Sequence, residues 1–155
     1  MNKLLVSASV ALGATSLSFA QQTEKPNFLL FIADDCSHYD LGCYGSVDSK
    51  TPNIDHFATQ GVRFTQAYQA VPMSSPTRHN LYTGVWPVRS GAYPNHTCAN
   101  EGTLSVVHHL QPLGYKVALI GKSHIAPKSV FPFDLYVTFY SSATATSAAV
   151  LWRSL

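Results

Sequence analysis

Charge of either sign is scarce in this sequence. Ten Lys and Arg against eight Asp and Glu leave a net charge of +2 over 155 residues. So small an excess argues neither for a nucleic-acid partner nor for an acidic one. Cysteine is scarce as well. Cys36, Cys43 and Cys98 match no structural zinc spacing. Their odd number leaves at least one thiol free or paired elsewhere, and whether a turn joins Cys36 to Cys43 stays open. Internal repeats are absent. Beyond the first twenty residues no apolar run is long enough to span a bilayer. What remains, at 46% apolar, suffices for the core of one ordinary domain.

The chain starts MNKLLVSASVALGATSLSFAQQ. Lys3 gives a positive start, Leu4 to Leu17 a short apolar stretch, and Ser18-Phe19-Ala20 a small-x-small cleavage site. This pattern predicts a signal peptide over 1–20 and an exported product, periplasmic or secreted, rather than a membrane-spanning protein.

Further on, Phe28 to Ala33 is continuously apolar, which suits a strand buried on both faces of a parallel sheet. Asp34 and Asp35 end it. Thr51-Pro52 opens a helix with Thr51 as N-cap and Gly61 as its stop. Val62 to Tyr68 is a strand candidate. Pro76 to Tyr82 reads as a short helix capped by Ser75, and Thr103 to Leu110 as another, closed by Gly114. Tyr115 to Ile120 is a second buried strand. Strands alternating with helices predict an α/β domain with a mostly parallel sheet flanked by helices. The run from Ser141 to Ala149 is rich in Ser, Ala and Thr without periodicity, and reads as loop or disorder.

Three groups carry chemistry. Asp34 and Asp35, adjacent at a strand's C-terminal end, lie where open α/β sheets bind ligands and suit a hard divalent cation. Ser74 and Ser75 precede a helix-starting proline, so free backbone N–H groups favour an anion there, and Arg78 adds a permanent cation. Lys122 and His124 follow the second strand and suit anion binding and proton transfer. Together they suit hydrolysis of an anionic ester.

Ser74-Ser75-Pro76-Thr77-Arg78, with Leu81-Tyr82-Thr83-Gly84, resembles the sulfatase signature. Gly114 through His124 resembles the second signature of that family. Asp34-Asp35 and Thr51-Pro52-Asn53-Ile54-Asp55 occur in it in this order. The likeness covers about 26–138, and the run from Gly121 to Asp134 looks like the heparan N-sulfatase branch. It implies an alkaline-phosphatase-like sulfatase fold and a hydrolase of sulfate esters or sulfamates on heparan-type saccharides. It implies that Ser74 becomes formylglycine through a sulfatase-maturating enzyme. Asp34, Asp35 and residue 74 would hold calcium. Arg78 would hold the modified residue, and Lys122 and His124 would contact sulfate. His96 is a second candidate for the substrate's vicinity. Thr77 stands where the family has serine, Val117 where it has threonine, and Ser123 where many members have an aromatic. The chain is shorter than family members, so 139–155 is read as a divergent tail, frameshifted or disordered, and the product as a poorly active fragment. A phosphodiester or phosphonate hydrolase of the same superfamily, or a sulfoglycan-binding protein without catalysis, is the alternative.

Overall fold

The computed structural model describes residues 25–138 and 147–153. The expected signal peptide and residues 139–146 lie outside them. Four strands form one sheet: β1 (Phe28–Ile32), β2 (Tyr115–Gly121), β3 (Leu135–Val137) and β4 (Ser147–Arg153), in the order β1-β4-β2-β3. β4 runs antiparallel to both β1 and β2, and β3 runs parallel to β2. Strands β1, β2 and β3 therefore share one direction, with β4 running against them between β1 and β2, and the domain is α/β with a sheet of one parallel and two antiparallel pairings among the described residues.

Register explains why distant loops meet. Ser147 faces Ile32 on one side and Gly121 on the other. The C-terminal ends of β1 and β2 are thus level, two strand spacings apart, roughly 10 Å. Asp34 leaves one end and Lys122 the other, so both emerge at the same sheet edge. Gly121 sits at φ 97, a left-handed turn that costs glycine nothing and swings Lys122 out of the strand.

The helices are α1 (Pro52–Thr59), α2 (Ser74–Thr83), α3 (Pro87–Ser90) and α4 (Val106–Leu110). The buried core lies around β2. Leu119 packs with Tyr82 of α2 and with Val130 and Phe131, while Val107 of α4 packs with Tyr115 and Val117. Leu119 is wholly buried, which contributes about 1.5–3 kcal/mol. Phe131 also meets His79 edge-on at a centroid distance of 5.3 Å, tying the core to α2.

Four sequence expectations are corrected. β1 is not buried on both faces: Leu29 is 56% and Phe31 69% exposed. It is an edge strand, and among the described residues its partner element is β4 alone, since α1 packs on the turn at Gly42–Tyr44 instead. Val62 to Tyr68 forms no strand, because it lies exposed beside no sheet edge. Ser75 does not cap α2; Met73 is the N-cap, without a side-chain bond, so Ser74 and Ser75 occupy the first helical turn. Ser147 to Ala149, read as loop or disorder, are extended and paired in β4. The small-residue run hid this because strand pairing uses backbone groups that composition does not report. Thr51 is the N-cap of α1 as expected, although its hydroxyl bonds no helix N–H: it donates to Asp55 at 2.9 Å and accepts from Gly42 N–H at 2.8 Å.

Candidate active site

Four expected residues meet at the sheet edge. Ser74 Oγ donates to Asp34 Oδ1 at 3.1 Å. Arg78, one turn along α2, donates from Nε to Ser74 Oγ at 3.1 Å and from Nη2 to Asp34 Oδ1 at 3.1 Å. Its Nη1 donates to the Lys122 carbonyl at 3.0 Å, and the Lys122 ammonium is hydrogen-bonded to Asp34 Oδ2. One guanidinium thus joins the turn after β1, the start of α2 and the turn after β2. The i to i+4 spacing of Ser74 and Arg78 on one helical face makes this possible.

The cluster is sheltered. Arg78 is 2% and Asp34 6% exposed at the side chain, whereas Lys122 keeps 30%. Burial pushes the Asp34 carboxyl up, but hydrogen bonds from Lys122, Arg78 and Ser74 outweigh it and hold it below the ordinary carboxylate range. Asp34 is therefore ionised, with two cations around one anion and a net positive surplus beside Ser74.

Two further residues border the cluster. His124 Nε2 lies 2.8 Å from His96 Nδ1. Burial lowers the pKa of His124, and His96, Lys122 and Arg78 lower it further against the pull of Asp34, which favours the neutral ring at pH 7. Its Nδ1 is buried with no hydrogen-bond partner among the described residues. Asp35 (φ 52), His96 (φ 64) and His124 (φ 50) all have left-handed backbones, and among the described residues no other non-glycine does. Such strain gathers where surrounding structure dictates the backbone, often at functional sites.

Asp35 does not join the network. It is exposed, and its side chain makes no hydrogen bond or ion pair among the described residues. The calcium set of Asp34, Asp35 and Ser74 offers too few oxygens for the six to eight that calcium takes. Asp34 already accepts from Ser74, Arg78 and Lys122, and no group of three or more His, Cys, Asp or Glu among the described residues is placed to hold a metal. These residues, as arranged, do not make a calcium site.

Sequence reasoning missed two residues. His79, wholly buried, has Nδ1 2.8 Å from the Ser75 carbonyl, and its Nε2 accepts from Ala126 N–H at 3.1 Å. It clamps the first turn of α2 to the segment after His124, but a histidine within a helix gives no such signal in sequence. Asn95 accepts from Ser75 N–H through Oδ1 at 3.3 Å. The three cysteines are free thiols, so Cys36 and Cys43 are not joined.

The family model described as Sulfatase matches residues 26–150. An ulvan-active sulfatase of Formosa agariphila is 42% identical over 112 residues, 72% of this chain and 22% of that protein. An N-acetylgalactosamine-6-O-sulfatase of Bacteroides thetaiotaomicron is 35% identical over 125 residues, 76% of this chain and 24% of that protein. Arylsulfatase A of Homo sapiens is 40% identical over 114 residues, 68% of this chain and 22% of that protein. The chain spans about a fifth to a quarter of the length of the curated relatives it matches.

Proposed function

Because this chain belongs to the sulfatase family, we propose that its site serves hydrolysis of sulfate esters on sulfated glycans. One observation carries the reading: Ser74, Arg78 and Lys122, from two separate segments, converge with Asp34 in a sheltered cluster with surplus positive charge. Preorganised cations in a sheltered site favour an oxyanion more than they would in water.

In this reading Lys122 and His124 receive the sulfate oxygens. Arg78 fixes the residue at 74 by its Nε contact, and Asp34 accepts from the hydroxyl there. Formylglycine at 74, installed by a sulfatase-maturating enzyme, would supply an oxygen nucleophile from which sulfate can be expelled again; plain serine would stay sulfated. Calcium belongs to the family's chemistry, but these residues do not form its site and no step is assigned to it. A heparan-type saccharide is the narrower substrate, supported by the run Gly121 to Asp134 alone. Export follows from the signal-peptide pattern of residues 1–20. No described helix is long and apolar enough to cross a membrane.

The test is co-expression of the chain with a maturating enzyme. The peptide containing Ser74 should lose two hydrogens by mass spectrometry. Sulfate release should then be measured from heparan-type, ulvan and 6-sulfated N-acetylgalactosamine oligosaccharides, with a phosphodiester alongside. Sulfate release that disappears in Ser74→Ala supports the reading. Unmodified serine with glycan binding alone would favour a binding protein, and phosphodiester turnover without sulfate release would favour the phosphohydrolase.

A further inference from the structure

The hydrogen bonds around His124 have a direction that runs back to the backbone of α2. Ser75 N–H can only donate, so the atom of Asn95 facing it at 3.3 Å must be the acceptor oxygen Oδ1. That orientation leaves the Asn95 Nδ2 amide, which can only donate, 3.2 Å from His96 Nε2. His96 Nε2 is then the acceptor, and a neutral imidazole carries its hydrogen on the other nitrogen. His96 Nδ1–H lies 2.8 Å from His124 Nε2 and donates to it. By the same rule His124 carries its hydrogen on Nδ1, the buried atom that has no partner among the described residues.

We propose that Asn95 and His96 are positioning residues that set the tautomer of His124, so that it presents a buried Nδ1–H donor to an oxyanion. A buried donor left unpaired is destabilising, and an anion oxygen is the partner that would recover that loss. The polarity matters more than the contact. With the opposite tautomer the same rings would touch at the same distance, but a lone pair would face the anion and repel it. His96 is exposed, so its left-handed backbone at φ 64 is not dictated by its own burial and serves the contact with His124. The substrate side of this inference rests on the oxyanion reading above; the tautomer side does not.

The experiment uses the whole chain labelled with nitrogen-15. Long-range proton–nitrogen correlation of the histidine rings is recorded about two pH units above the ordinary imidazole pKa of about 6.5, with His96 and His124 assigned by single substitutions. The expected result is that both rings are protonated on Nδ1 and unprotonated on Nε2. Asn95→Asp is near-isosteric but presents only acceptors. It should flip His96 to Nε2–H and His124 with it, and weaken binding of inorganic sulfate roughly tenfold. Asn95→Ala adds no charge and should leave His124 as a mixture of tautomers. Backbone amide spectra check that both variants stay folded. The proposal is overturned if wild-type His124 carries its hydrogen on Nε2, or if neither substitution changes its ring nitrogens. If the tautomers behave as expected but sulfate does not bind, the relay stands and the oxyanion reading of the pocket fails.

Discussion

Replacing Asp34 by Asn tests the electrostatic logic of the cluster most directly. The change keeps shape and removes one charge. In the native cluster the Asp34 carboxylate lies 3.1 Å from Arg78 Nη2 and is bonded to Lys122. At an effective dielectric of about 20, a pair at that distance gains about 5 kcal/mol of Coulomb energy, most of it offset by the desolvation of both ions. The substitution removes the gain and keeps the penalty, because Arg78 is 2% exposed and cannot reach water. Lys122, at 30% exposure, can turn outward and should contribute little. The expected loss is about 3–5 kcal/mol. With a urea m-value of about 2 kcal/mol/M, the unfolding midpoint falls by about 2 M. The double variant Asp34→Asn/Arg78→Met removes both charges and should recover part of that loss. The pH dependence follows in sign. Asp34 titrates lower in the folded state than its ordinary 3.8. As pH falls, the unfolded chain takes up this proton first, so the stability it contributes above pH 3.8 is lost as pH drops through the lowered value. Asp34→Asn should flatten that part of the profile. A midpoint shift under about 0.5 M, or a double variant no better than the single, would refute the reasoning.

Two further substitutions test the frame that holds the site. His79→Leu strands the Ala126 N–H and the Ser75 carbonyl without a side-chain partner, for an expected loss of about 1–3 kcal/mol by urea unfolding; an unchanged midpoint would show that His79 is no clamp. Leu119→Ala opens a cavity beside Phe131 and Val130 at the centre of β2 and should cost about 2–5 kcal/mol in the same assay.

Much of the site was legible in the chain order. A carboxylate ending an apolar strand, a hydroxyl before a proline with an arginine four residues on, and a lysine after Gly121 each carry a local signature. Asp34, Ser74, Arg78 and Lys122 do converge. Asp35 stands apart from that cluster because adjacent side chains diverge when the backbone turns left-handed between strand and turn. The buried strand β2 was legible for the same reason that β1 was misleading. Both are apolar runs, but only β2 has neighbours that cover it.

The sequence by itself determined the residue types of the chemistry, the strands β1 and β2 and the helices α1, α2 and α4, because those follow from side-chain character and local backbone preference. Only the tertiary structure decided that Ser147 stands level with both Ile32 and Gly121, which of the paired aspartates is sheltered, and which way the hydrogen bonds run from Ser75 to His124. Register and donor direction are relations between segments distant in the chain, and they exist only once those segments are in contact.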